Sequence, residues 1–260
     1  MRRRESCLAP ATPLHPHTAR LASSLGANRL LPRAASHPPP YCAHTSTPPT
    51  HSQLITYDSY TGAVRNSSSQ PQGYNESSVW SRGQAWAILG FAIANRYLGV
   101  QRYLDASRAA AECYVRLSQS TRVEDAMPLW DFYVPRALAV VDTSAAAVAA
   151  LGLLEIAAAL PADAEAPARS FYLAASKALL DCMLAKYLFS PVASDAVLAN
   201  GTSTWPEWGV PLPYGDYYLL AALLKWDATP LQWRKEAVEL LAVVGFGGLT
   251  PPASEGGRAV

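Results

Sequence analysis

No histidine follows residue 51, and no aspartate precedes Asp58. Cysteine is scarce: Cys7, Cys42, Cys113 and Cys182 are widely spaced, and none forms a Cys-x-x-Cys pair. The paired-thiol spacing of a metal site is therefore absent. Cys113 and Cys182 fall inside apolar helical patterns, which reads as small buried thiols rather than a disulfide or a metal. Only 16% of residues are charged and the formal net charge is +1, so the basic footprint of a nucleic-acid binder is missing. No apolar run approaches the ~20 residues that cross a bilayer, which excludes a transmembrane helix. What remains is a chain of 260 residues, half of them hydrophobic, able to bury a sizeable core as one or two domains.

Composition changes near residue 50. Residues 1–50 hold nine of the 21 prolines, four of the five histidines and one aromatic, Tyr41. Pro38-Pro39-Pro40 and Pro48-Pro49 cannot enter helix interiors. Such a segment buries too little apolar surface to offset its ordering entropy and reads as disordered. Arg2-Arg3-Arg4 and the shortage of acids fit a transit peptide weakly. The lack of a continuous apolar stretch argues against a secretory signal and leaves the location open. A non-native segment upstream of the real domain is an equal reading. Residues 51–245 then form the domain, and 246–260 a loose tail.

Helical periodicity dominates from about residue 82. Ala85, Trp86, Ile88, Leu89, Phe91, Ala92, Ala94 and Leu98 predict a helix that is apolar nearly all round and ends near Gly99. Tyr103 to Leu117 predicts an amphipathic second helix. Residues 119–141 read as a loop. Thr143 to Leu160 predicts an Ala-rich third helix, capped by Asp142 or Thr143 and stopped by Pro161. Further helices are expected at Ala168–Tyr187, from Gly215 to Lys225 with Asp216 as N-cap, and at Trp233–Val243. Gly201, Trp205, Pro206 and Trp208 read as loop. Strand signal is confined to Leu54–Asp58, followed by a turn at Ser59–Gly62. Apolar helices joined by long loops rich in Trp, Pro and Asp predict an all-α toroid whose loops frame a pocket.

The densest chemistry lies in Gln72-Gly73-Tyr74 and Val79-Trp80-Ser81-Arg82-Gly83-Gln84-Ala85-Trp86. Two Trp, one Arg and two Gln fall within fifteen residues. Aromatic faces suit pyranose rings, and a guanidinium suits a carboxylate, so the segment has the chemistry of a sugar-acid pocket. Each residue also has a plainer reading. Trp80 and Trp86 can be core, and Arg82 can be a buried ion-pair partner or stack on an aromatic. Asp131 in Trp130-Asp131-Phe132 reads as a loop-fixing acceptor. Glu124-Asp125 reads as a solvated loop and Glu207 as surface.

Over roughly residues 51–225 the sequence resembles the unsaturated glucuronyl hydrolase family. The residues that carry the resemblance are Asp58-Ser59-Tyr60-Thr61-Gly62, Gln72-Gly73-Tyr74, Trp80 to Trp86, Trp130-Asp131-Phe132, Asp142-Thr143-Ser144-Ala145-Ala146, Gly152-Leu153-Leu154-Glu155 and Tyr214-Gly215-Asp216-Tyr217-Tyr218. The resemblance implies an (α/α)6 barrel, here its C-terminal part with about six helices. It implies removal of a 4,5-unsaturated glucuronic acid from the non-reducing end of lyase-generated oligosaccharides by hydration of the vinyl ether bond. It implies no metal or organic cofactor. Gln72, Trp80, Arg82 and Trp86 are the substrate-binding positions it carries over.

Three departures accompany it. Pro71 stands where the family has a His before the Gln. His51 is the nearest candidate for an upstream pocket His, but it is displaced by about two positions, with Gln53 in the expected place. The family's acid/base Asp and its partner belong to a region where this chain has no aspartate, so no catalytic residue is assigned. A non-catalytic fragment with a partial sugar pocket is the competing reading. The expected partner is an unsaturated uronyl oligosaccharide, with neither nucleic acid nor membrane. Helices apolar on most faces also predict an oligomer, or an aggregate, that covers them.

Overall fold

A computed structural model describes residues 54–68, 72–75, 78–121, 126–161, 164–189, 195–204 and 206–251. The expectations for His51, Gln53, Pro71, Glu124-Asp125, Trp205 and the segment 1–50 lie outside these residues.

The described chain begins with a hairpin of β1 (Leu54–Tyr57) and β2 (Val64–Ser68), paired antiparallel with an irregularity between Thr56 and Tyr57. Asp58 builds its turn. The carboxylate accepts from the Tyr60 and Thr61 backbone N–H groups at 2.9 and 2.8 Å and from Arg65. Those contacts, the Thr61 amide first, hold the Asp58 carboxyl down at about 2. Gly62 takes the left-handed conformation that closes the turn (φ 68°).

Six α-helices follow among the described residues: α1 (Ser81–Leu98), α2 (Gln101–Thr121), α3 (Thr143–Ala159), α4 (Ala166–Lys186), α5 (Pro213–Ala228) and α6 (Leu231–Val244). The helix predictions hold in type and order, with ends moved by a few residues. Gly99 ends α1 as expected, its N–H donating to Asn95 O at 2.7 Å in a left-handed conformation. Asp142 caps α3 by accepting from the Ser144 and Ala145 N–H groups.

Two layers result. α3 is central and buried almost all round, because its Ala145–Ala150 run lets neighbours approach from every side. It packs against α1 and α5, and the three run parallel. Arg82 and Gly215, at the starts of α1 and α5, lie against the start of α3, whereas Arg96 and Lys225 near their ends both pair with Glu155 of α3. The outer layer returns antiparallel. Gln84 of α1 donates to Ala110 O of α2, Ser107 donates to Ile88 O, and Ser176 of α4 donates to Ala150 O of α3. Tyr172 of α4 reaches Glu112 of α2, and Arg169 of α4 lies 4.1 Å over the Trp233 ring of α6. Helical hairpins with one parallel inner layer form an arc of an (α/α) toroid, as expected.

Three details correct the sequence reading. A second hairpin pairs β3 (Gly201–Thr204) with β4 (Glu207–Val210). Its β-branched threonines lie between a glycine and a proline, too short a run to register as periodic. Asp216 is not an N-cap, because Pro213 starts α5 one turn earlier. Its carboxylate instead accepts from the Val197 and Leu198 N–H groups, tying the preceding loop to α5. Cys113 is disulfide-bonded rather than a free thiol, while Cys182 is a half-buried thiol outside any disulfide.

Candidate functional site

The N-terminal ends of α1, α3 and α5 open at one end of the arc, and residues 126–142 run across them. Trp80 and Asp131 form an isolated antiparallel bridge, as do Leu129 and Val141. Ser81 donates to Trp130 O through both its N–H and its hydroxyl, and Phe132 N–H donates to Val79 O. This irregular ladder satisfies amide groups at the start of α1 that have no partner within the helix.

Arg82 sits at the centre and is only 2% exposed. Its Nη1 donates to Asp142, to Ser144 Oγ at 3.0 Å and to Thr202 O at 2.7 Å, and Nη2 donates to Ser203 O at 2.6 Å. The guanidinium lies 4.8 Å from the Trp80 ring centroid and 5.4 Å from that of Tyr214. Of the two readings offered by sequence, the buried ion pair beside aromatics describes this environment. One planar fork joins α1, α3, β3 and α5, a task suited to Arg rather than Lys.

Asp142 is fully buried and uses both oxygens. One faces Arg82. The other accepts from Ser144 N–H and Oγ, Ala145 N–H and Thr202 N–H. Burial pushes its carboxyl up, against the pull of Arg82 and of these donors. Burial also raises the Tyr214 phenol, which Arg82 opposes.

Trp86, half-buried on α1, meets Tyr218 of α5 edge to face at 5.1 Å, and Tyr218 meets Tyr217 at 4.9 Å. Gln72 is half-buried in the turn that leads to Tyr74. Asp131 fixes that turn: Oδ2 accepts from Tyr74 N–H at 3.0 Å and Ser78 Oγ at 2.6 Å, and Oδ1 from Tyr133 N–H at 3.0 Å. The loop-fixing reading of Asp131 holds. Glu207 is exposed, as expected, and accepts from Ser203 Oγ.

Of the sequence candidates, Trp80 and Arg82 are in contact, and Trp86 lies one turn further along the same helix. Asp131 links Gln72's turn to Trp80. Sequence reasoning missed Asp142 as the partner of Arg82, and it missed Ser144, Thr202, Ser203, Tyr214 and Tyr218 as neighbours. Asp142-Thr143-Ser144 and Tyr214-Gly215-Asp216-Tyr217-Tyr218 were visible as motifs, but nothing local links positions 60 to 132 residues apart. Among the described residues no group of three or more His, Cys, Asp or Glu is arranged to hold a metal. No helix there is long and apolar enough to cross a membrane.

An arc of helical hairpins with an aromatic-lined mouth defines a protein of the (α/α)-toroid class. Known proteins narrow the class. An unsaturated glucuronyl hydrolase of Formosa agariphila is 32% identical over 175 residues, covering 65% of this chain and 42% of the relative. That of Bacillus sp. GL1 is 36% identical over 160 residues, covering 59% and 41%. The solved structure of the unsaturated glucuronyl hydrolase from Bacillus sp. GL1 superimposes with a TM-score of 0.58 at 31% identity, over 66% of this chain and 45% of that one. A mutant of the Streptococcus agalactiae unsaturated glucuronyl hydrolase, complexed with dGlcA-GalNAc6S, matches with a TM-score of 0.55 at 26% identity, over 68% and 47%. No protein-family model matches. Over about two thirds of its own length the chain is similar to unsaturated glucuronyl hydrolases, whose fold is an (α/α)6 barrel, and it spans less than half the length of the relatives it matches.

Proposed function

We propose that this chain forms one wall of a site for unsaturated uronyl oligosaccharides, within a glycoside hydrolase domain. The domain's reaction is release of a 4,5-unsaturated glucuronic acid from the non-reducing end by hydration of its vinyl ether bond. The observation that carries the reading is the convergence of Trp80, Trp86, Tyr214 and Tyr218 around the N-terminal ends of three parallel helices. Aromatic faces take a sugar ring, and the positive ends of helix dipoles favour a carboxylate. Trp86 and Gln72, both half-buried, supply the ligand contacts. Arg82 shapes the wall by holding β3 to α1 and α3. Names of the relatives, and the unsaturated disaccharide held by the Streptococcus agalactiae protein, support the substrate class.

A second reading, binding without turnover, is favoured by the state of the nearest carboxylates. Asp131 and Asp142 are both buried and committed to hydrogen bonds within the chain. A general acid must instead reach the substrate atom it protonates.

The folded protein should be mixed with an unsaturated glucuronyl disaccharide. Ultraviolet absorbance of the conjugated C4=C5 bond and heat of binding are then followed together. Loss of absorbance supports hydrolysis. Binding without loss supports the second reading, and neither signal rejects both.

A further inference from the structure

Ser144, at the start of α3, has a hydroxyl whose hydrogen-bond capacity is nearly filled. A serine hydroxyl carries one proton and two lone pairs. The proton goes to Asp142 Oδ1 at 2.6 Å, and one lone pair takes the Arg82 Nη1 donor at 3.0 Å. Toward any further neighbour Ser144 Oγ is therefore an acceptor only. That neighbour is Tyr214. Gly215, the next residue along α5, lies against Ser144, since a Cβ there would stand 3.3 Å from Ser144 Cβ. The Tyr214 ring centroid is 5.4 Å from the Arg82 guanidinium, and its phenol is a hydrogen-bond neighbour of Ser144. Burial, joined by the Asp142 charge, keeps the phenol protonated against the pull of Arg82. The phenol thus gives its proton inward, in the order Tyr214 to Ser144 to Asp142. Its oxygen is left as an acceptor, on a ring that is half-buried at the mouth of the arc.

We propose that the Tyr214 oxygen accepts a hydrogen bond from a ring hydroxyl of the bound sugar and so selects which edge of that ring faces α5. This inference rests on the sugar-site reading and deepens it. An acceptor backed by a buried carboxylate takes a hydroxyl, which has a proton to give, and turns away a carboxylate, which has none. The hydroxyl edge of the uronyl ring therefore meets Tyr214, and its carboxylate is seated away from the phenol. The role differs from that of the other aromatics at the mouth. Trp86 offers a ring face, which tolerates either orientation of a sugar, whereas one directed acceptor does not. Phenylalanine at position 214 would keep the ring beside Arg82 and lose only the selection.

Calorimetric titration of the full chain with an unsaturated glucuronyl disaccharide, its carboxyl methyl ester and its monodeoxy analogues tests this. Tyr214→Phe should leave the urea midpoint unchanged and weaken disaccharide binding by roughly fivefold, as for the loss of one hydrogen bond. The same factor should appear with the methyl ester, because the carboxylate is not the group being read. One monodeoxy analogue should bind wild type about as weakly as the disaccharide binds Tyr214→Phe, and should lose nothing further on the variant. If the variant melts earlier, 3-fluorotyrosine at position 214 carries the test: its fluorine resonance should shift with the disaccharide and stay in place with that analogue. A wild type that binds no disaccharide overturns the sugar-site reading and this inference together. Binding that Tyr214→Phe leaves unchanged overturns this inference alone. So does a loss that disappears with the methyl ester, or one that adds to the loss from every monodeoxy analogue.

Discussion

Arg82 and Asp142 face each other with both charges out of water, 2% and 0% exposed, at the point where α1, α3 and β3 meet. A buried pair of this kind repays its desolvation only when its remaining donors and acceptors are satisfied, and here they are. Ser144, Ala145, Thr202 and Ser203 complete the set. The pair is thus the joint of the candidate site rather than an ornament of it.

Breaking that joint from one side should be costly. Arg82→Ala leaves Asp142 buried and uncompensated, and should lower unfolding free energy by about 3–5 kcal/mol. Glu155→Gln at the other end of the inner layer should cost only about 1 kcal/mol, because its partners Arg96 and Lys225 are 48% and 25% exposed and screened by water. Urea melts of both variants check the ranking. Equal costs would show that Asp142 is not buried as described.

Gly152 marks the close crossing of α3 and α1. A Cβ there would stand 2.7 Å from Ile88 Cγ2 and 2.9 Å from the Leu89 backbone nitrogen. Backbone cannot step aside as a side-chain tip can, so Gly152→Ala should destabilise by about 1–3 kcal/mol despite alanine's better helix propensity. A thermal melt decides the sign.

The turn of the first hairpin should loosen in acid. The Asp58 carboxyl is held at about 2 when folded, against 3.8 for the free side chain. Its contribution is therefore fully present above pH 3.8 and is lost as pH falls through that window toward 2. Amide exchange at Tyr60 and Thr61, whose N–H groups Asp58 accepts, should accelerate over that range. Asp58→Asn should abolish the acid limb.

The two tryptophans should separate in their effects. Trp80 is buried beside Arg82, and Trp80→Ala should act first on stability, by about 3–5 kcal/mol. Trp86 is half-buried against Tyr218. Trp86→Ala should mainly weaken binding of an unsaturated uronyl disaccharide, by roughly twofold to twelvefold for one aromatic contact of about 0.5–1.5 kcal/mol. Calorimetric titration beside a urea melt separates the two losses.

Much of the helical framework was legible beforehand. The α1 and α3 segments are apolar on most faces, which only an inner-layer position explains, and Gly99, Asp142 and Pro161 mark their ends through local backbone chemistry. The role of Asp131 was readable in part, since its bond to the Tyr133 amide is local, whereas its bonds to Tyr74 and Ser78 span 57 and 53 residues. The β3–β4 hairpin escaped notice because four-residue strands carry too little periodicity. Asp216 misled because a proline two residues before Gly215 had already opened the helix.

Sequence by itself determined which segments are helices, which faces are apolar and that Trp80, Arg82 and Trp86 share one helix start, because those properties depend on neighbours within about four residues. Only the tertiary structure decided what Arg82 does. Its partners Asp142, Ser144, Thr202 and Ser203 are 60 to 121 residues away, and packing of three parallel helices brings them within hydrogen-bond distance. Burial then turns an arginine suited to a ligand carboxylate into one that answers the chain's own, since a charge removed from water must take the partners that the fold places beside it.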